Sequence, residues 1–150
     1  MTTGKKIYFA SDFHLGMPNV ERSLEREKSI VKWLQTISKD ASAIYLLGDV
    51  FDFWFEYRKA VPKGFVRFLG KLAELSDAGI ELHIFVGNHD LWMYDYLQDE
   101  LSAKIYRQPE RFHLAFSDAS VKSIFIGHGD GLGPGDYGYK ALKQVFTNKL

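Results

Sequence analysis

Four short stretches of this chain gather side chains that can hold a metal or move a proton. They are Ser11-Asp12-Phe13-His14, Gly48-Asp49-Val50-Phe51-Asp52, Gly87-Asn88-His89-Asp90 and Gly127-His128-Gly129-Asp130. Carboxylates, an amide and imidazoles recur across them, and three of the four begin with glycine. With no cysteine in the chain, disulfides and thiolate ligation are excluded, so a cation must be held by oxygen and imidazole nitrogen. Mixed ligation of that kind suits Mn²⁺, Fe²⁺ or Zn²⁺. Asp12 and His14 are two residues apart, so in an extended chain they share a face and one ion could take both.

The elements that must position these residues come directly before them. Each stretch follows an apolar run: Ile7-Tyr8-Phe9-Ala10, Ala43-Ile44-Tyr45-Leu46-Leu47, Leu82-His83-Ile84-Phe85-Val86 and Ser123-Ile124-Phe125-Ile126. Near-continuous apolar runs of this length read as buried strands. Between them, Ile30, Trp33, Leu34 and Ile37 predict an amphipathic helix within residues 21–38. Phe65, Leu69, Leu72 and Leu75 predict another within 63–76, with Gly79 as its stop. Alternating strands and helices predict an α/β domain with a largely parallel sheet. Residues 112–116 and 121–126 read instead as an antiparallel hairpin, followed by a glycine-rich loop to Asp136 and a helix over 137–150. His83 and His113 sit inside strand-like runs and read as packing residues.

A lone Gly-Asp after a strand is ordinarily a turn. Four donor-bearing stretches, each at a strand end, are a different matter. In open α/β sheets the crevice beyond the carboxyl ends of the strands binds ligands. Glycine there lets the backbone turn sharply and lets a bulky ligand approach.

Composition narrows the partners. At 150 residues with 46% hydrophobic and 25% charged residues, the chain fits one globular domain. A formal net charge of zero removes the electrostatic footprint of a non-specific nucleic-acid binder, so no stable nucleic-acid partner is expected. No opening segment reads as a secretory signal and no window reads as a membrane span, which makes a cytoplasmic location the expectation, with peripheral membrane contact left open. Two aromatic stretches, Phe51 to Tyr57 and Trp92 to Tyr96, read mainly as packing. Trp54, Trp92 and Arg58 are candidates for substrate contact.

The four stretches, in this order, resemble the signature blocks of the calcineurin-like metallophosphoesterases across about residues 7–130. Within that superfamily the chain is similar to the UDP-2,3-diacylglucosamine pyrophosphohydrolases of lipid A synthesis. Ser11-Asp12-Phe13-His14-Leu15-Gly16, Gly48 to Trp54 and His128-Gly129-Asp130-Gly131 carry the narrower likeness. The resemblance implies an αββα sandwich and two divalent ions, Mn²⁺ foremost, with Zn²⁺ or Fe²⁺ as alternatives. It implies Asp12 and His14 on one ion, Asp49 bridging both, and Asn88 and His128 on the second. It further implies that the ions acidify a bridging water, that His89 faces the scissile phosphate, and that Asp52 holds the His89 imidazole. The implied substrate is a nucleotide-linked glycolipid, cleaved to UMP and an acylated sugar phosphate at the inner face of a membrane.

One departure matters. The family's closing Gly-His-x-His block is missing, so the chain is expected to be an N-terminal portion of a longer protein. Its second sheet would be incomplete, 133–150 would begin a helical cap, and dimerisation or element swapping would follow from the open strand edge. Two rival functions share the scaffold: a nuclease or cyclic-nucleotide phosphodiesterase, and a non-catalytic binding scaffold. Retention of His89 beside the ligand set argues against the scaffold.

Overall fold

The computed structural model describes residues 5–116 and 119–130. In chain order they form β1 (Lys6–Ala10), α1 (Val20–Ile37), β2 (Ala41–Leu47), α2 (Val66–Asp77), β3 (Glu81–Phe85), α3 (Tyr96–Leu101), β4 (Lys104–Tyr106), β5 (Glu110–Ala115) and β6 (Val121–Ile126). Strands β1 to β4 make one parallel sheet in sequence order, and β5 pairs with β6 in an antiparallel ribbon. The register sets Ala10 beside Leu46 and Leu47 beside Phe85, which brings the carboxyl ends of β1, β2 and β3 into one row.

Parallel neighbours need crossover connections, and right-handed crossovers between strands in sequence order lay the helices on one face. There Ile44, Leu46, Leu82 and Ile84 meet Ile30, Leu34 and Ile37 of α1 and Phe68, Leu72 and Leu75 of α2. The alternate residues Ala43, Tyr45 and Phe85 face the other way and pack with Ile126 of the ribbon. Burial on both faces is why β2 and β3 read as unbroken apolar runs. Helices, parallel sheet and ribbon together are consistent with an incomplete αββα sandwich.

Helix α1 starts at Asn19, whose side chain accepts from the Arg22 N–H at 2.9 Å, a cap of about 1 kcal/mol. Helix α2 has no side-chain cap of its own. Buried Glu27 of α1 supplies one, with Oε1 accepting from the N–H groups of Arg67 at 2.9 Å and Phe68 at 3.1 Å.

The structure departs from the sequence reading in several places. Phe65, expected on the buried stripe of the second helix, precedes it in a left-handed conformation, and Phe68 takes its place in the core. The run 123–126 was expected to be a buried strand, but in β6 only Ile126 is buried and Phe125 is 61% exposed. A two-stranded ribbon has one face on the sheet and the other open. Helix α3 and strand β4, six and three residues long, were not anticipated because neither is long enough to display a period. The helix expected over 137–150 and the cap over 133–150 lie outside the described residues. His83 is a packing residue as expected, stacked on Tyr45 with ring centroids 4.1 Å apart. His113 faces Ser123 across the ribbon and is exposed.

Candidate metal centre

The loops after β1 and β2 continue to pair beyond their strands. Asp12 donates to the Gly48 carbonyl at 3.1 Å, His14 to Asp49 at 2.9 Å, and Leu15 to Val50 at 3.0 Å. This pairing holds an unfavourable backbone, because Asp12, His14 and Asp49 all lie in the left-handed region at φ 58, 43 and 50°. A non-glycine residue there costs of order 1–3 kcal/mol and persists only when its surroundings over-determine it. The expectation that Asp12 and His14 share a face of extended chain is therefore corrected. Two left-handed turns, not a strand, set His14 Nε2 3.9 Å from Asp12 Oδ1.

Asp49 is the centre of the arrangement. Its buried carboxylate accepts the His89 N–H through Oδ1 at 3.0 Å. Its Oδ2 lies 3.7 Å from His14 Nε2 and 3.4 Å from His128 Nε2. His128 Nδ1 is 2.7 Å from the Leu47 carbonyl, which can only accept, so that nitrogen carries the hydrogen. In the neutral ring the Nε2 lone pair then faces Asp49 Oδ2 and, at 3.2 Å, Asn88 Oδ1. A cation between these electron-rich atoms would relieve their repulsion. A proton can serve: the hydrogen bond to Asp49 pushes His128 up to about 9 against the opposing effect of burial, with the Leu47 carbonyl adding to the rise. Burial pushes the Asp49 carboxyl up, but bonding from His128 and the His89 N–H outweighs it and holds the group below its ordinary range.

His89 is oriented by the same logic. Its Nδ1 lies 3.1 Å from the Asp52 carbonyl oxygen and 3.3 Å from Asp52 Oδ1, so Nδ1 is the protonated nitrogen and Nε2 is presented outward. The rings of His14 and His89 meet edge to face, with centroids 4.7 Å apart. His14 Nδ1 and Asp52 Oδ1 are 3.6 Å apart, and both are buried without a hydrogen-bond partner.

Two groups of donor atoms result, His14 with Asp49 and His89, and Asp12 with Asp49 and His128. Within each group the atoms lie within 4.8 Å of one another, and Asp49 belongs to both. A shared carboxylate flanked by imidazole nitrogens fits divalent cations. His14 Nε2 also lies 3.9 Å from Asp12 Oδ1, and His128 Nε2 3.2 Å from Asn88 Oδ1.

The sequence profile of the calcineurin-like phosphoesterase family matches residues 5–147. The chain belongs to this family. It is 49% identical over 150 residues to a UDP-2,3-diacylglucosamine hydrolase of Porphyromonas gingivalis, covering 97% of this chain and 54% of that protein. A UDP-2,3-diacylglucosamine hydrolase of Ectopseudomonas mendocina is 28% identical over 144 residues, covering 96% of this chain and 55% of that one. One of Haemophilus influenzae strain Rd is 28% identical over 150 residues. The chain spans about half the length of these curated relatives.

In this calcineurin-like phosphoesterase, the three candidate substrate contacts fall away from the metal centre's cavity. A cavity of about 500 Å³ opens beside the donor atoms, bordered by Asp12, Phe13, His14, Met17, Arg26 and His89 among others, but not by Arg58, Trp54 or Trp92. Trp54 is a correction. It is fully buried, stacked on Phe51, and donates through Nε1 to Glu56 Oε1 at 2.8 Å, so it packs the core and no ligand can reach it. Trp92 is half-buried between Phe53 and Phe55, and Arg58 sits on an exposed turn over the Tyr57 ring.

Two residues of the site were given no role by the sequence reading. Asp90 is fully buried, accepting from Gly87 N at 2.7 Å through Oδ1 and from Val50 N at 2.9 Å through Oδ2. It ties the second ligand loop to the third; burial pushes its carboxyl up against the pull of those N–H groups. Its place in the third glycine-led block was the available signal. Arg26 is the other, and nothing in its sequence context marks it. Among the described residues, no helix is long and apolar enough to cross a membrane.

Proposed function

We propose that this chain is the metal-binding portion of a dinuclear phosphoesterase that hydrolyses UDP-2,3-diacylglucosamine to UMP and 2,3-diacylglucosamine 1-phosphate. The observation that carries the reading is the shared Asp49, flanked by two imidazoles within 3.7 Å of one carboxylate oxygen. The 49% identical relative, a UDP-2,3-diacylglucosamine hydrolase, supports the substrate.

Asp12, His14, Asp49, Asn88 and His128 would hold two divalent ions, with Mn²⁺ the first choice among Mn²⁺, Zn²⁺ and Fe²⁺. When bound, such ions supply Lewis acidity toward phosphoryl oxygens and acidify water. The chain's own contributions are distinct. Asp49 would offset the mutual repulsion of two cations with one carboxylate. Asn88 and the histidines are neutral donors, which leaves the centre positive enough to attract a pyrophosphate. Water adds to one phosphorus and gives up a proton to solvent as the P–O–P bond breaks, and the departing phosphate oxygen carries charge that a proton can neutralise. His89 is suited to give it from Nε2 when protonated, because the Asp52 carbonyl anchors its Nδ1–H.

The same reading places the protein in the cytoplasm with peripheral contact at a membrane. Phe53, Phe55 and Tyr57 project outward at 58%, 40% and 59% exposure, with the exposed Arg58 and Lys59 beside them. Aromatic and basic residues together suit an anionic lipid surface. Exposed Val121 and Phe125 on the ribbon would be the place for a dimer contact.

The deciding experiment measures UMP release from the glycolipid with Mn²⁺, for this chain and for a full-length relative, beside His89→Ala. Release that falls by about 10²–10⁴-fold in the variant while its ions stay bound supports the reading. Hydrolysis of single-stranded DNA or a cyclic nucleotide, with none of the glycolipid, would replace it with the nuclease reading. Full activity in His89→Ala would remove the proton-donor role.

A further inference from the structure

Arg26 lies on α1, outside all four ligand stretches, yet its guanidinium reaches into the first of them. Its Nη1 is 3.1 Å from the carbonyl oxygen of Phe13, 2.8 Å from that of His14 and 3.1 Å from that of Met17. The first two carbonyls belong to the peptide planes immediately before and after the His14 Cα. Fixing the orientation of both planes fixes φ and ψ of His14, the two soft dihedrals that decide where its imidazole points. This is the stretch that most needs holding, since Asp12 and His14 both sit at positive φ.

The rest of the loop is anchored from two sides. Backbone groups of the Asp49 loop bind it along one edge, through Asp12, His14 and Leu15. Helix α1 binds the other, through Arg26 and through Ser23, whose Oγ accepts the Gly16 N–H at 2.7 Å. Arg26 also borders the cavity shared by Asp12, His14 and His89, so its charge stands beside the donor atoms without joining them.

We propose that Arg26 is a positioning residue of the metal centre, clamping the peptide planes on either side of His14 so that His14 and Asp12 are aimed at Asp49. The proposal rests on the metal-centre reading above. Nη1 carries two N–H groups, so the three carbonyls share them, and the permanent charge of the guanidinium strengthens each contact.

The test uses the whole chain as wild type, Arg26→Gln, Arg26→Lys and Arg22→Gln, the last being an exposed arginine on the same helix. Two quantities are measured: Mn²⁺ stoichiometry and affinity by calorimetry, and amide hydrogen exchange without metal. Arg26→Gln is expected to lose about 10–100-fold in affinity at the ion held by His14, whose two peptide planes Arg26 contacts, and less at the other ion. Exchange at the His14 and Leu15 amides should accelerate while β2 and β3 stay protected. Arg26→Lys should recover part of the loss, and Arg22→Gln should match wild type. Wild-type affinity for both ions in Arg26→Gln would overturn the proposal. So would an equal loss at both ions with faster exchange throughout the sheet, the mark of general destabilisation. A wild-type chain that takes up no Mn²⁺ would instead sink the metal-centre reading and the clamp with it.

Discussion

A Cβ on Gly87 would stand 2.2 Å from Oδ1 of Asp49 and 2.4 Å from its backbone nitrogen. The atom in the way is the oxygen that accepts the His89 N–H. Gly87→Ala must therefore move the central carboxylate or its loop. We expect Mn²⁺ affinity to fall by at least about 100-fold, as the misplacement is of a ligand itself. Overpacking should cost about 1–3 kcal/mol in urea unfolding. Gly70→Ala is the control, since it lies in α2 with nothing within 4 Å, and it should stabilise by about 0.5–1 kcal/mol. Unchanged ion binding in Gly87→Ala would show that the loop yields at little cost.

Asp90 offers two carboxylate oxygens to backbone N–H groups from two different ligand loops. Asparagine keeps the shape but turns one acceptor into a donor, leaving a buried N–H facing another N–H. Asp90→Asn should cost about 1–3 kcal/mol in urea unfolding and should weaken both ions together. Loss of stability with ion affinity intact would confine Asp90 to the scaffold.

Metal and proton compete for His128. Without ions its folded-state value is raised from 6.5 to about 9, so the stability it contributes is fully present below pH 6.5 and is lost as pH rises through about 9. An ion taking the same lone pair must displace that proton. Mn²⁺ affinity should then rise by up to about tenfold per pH unit between 6.5 and 9 and level off above. Calorimetry in buffers of differing ionisation enthalpy should report close to one proton released. His128→Gln should bind more weakly, with that slope reduced.

His83 titrates in the opposite sense. Burial between the sheet and the ribbon, helped by the charge of Lys104, lowers its value below 6.5. The stability gained by holding it neutral is present above pH 6.5 and is lost as pH falls through the lowered value. Wild-type protein should lose urea resistance between pH 7 and 5. His83→Phe, which preserves the stacking against Tyr45, should flatten that dependence. An equal pH response in both proteins would assign the effect to other groups.

The blocks after β2 and β3 were legible because those two strands are buried on both faces. Burial wrote β2 and β3 as unbroken apolar runs, and the glycine-led blocks stand immediately after them. Asp49, Asn88 and His89 could be named on that basis, whereas Asp12, His14 and His128 follow the less buried β1 and β6 and were named from the order of the four blocks. Short elements were not legible, and neither was the direction of Trp54. Phe53, Phe55 and Tyr57 turn outward while Trp54 and Glu56 turn inward, against the usual preference for a charged side chain in water. The inward Glu56 accepts from Trp54 Nε1 and from the N–H groups of Asp95 and Tyr96, a partnership between segments about 40 residues apart.

The sequence alone determined which donor atoms are available, their order and the strand ends that carry them, because these follow from residue type and local period. Only the tertiary structure decided how they are aimed. Left-handed turns at Asp12 and His14, the Arg26 clamp, the Asp90 tie and the Glu27 cap on α2 all join segments distant in sequence. No local pattern records such contacts, since the free energy that holds each strained backbone or buried charge comes from a partner on another element.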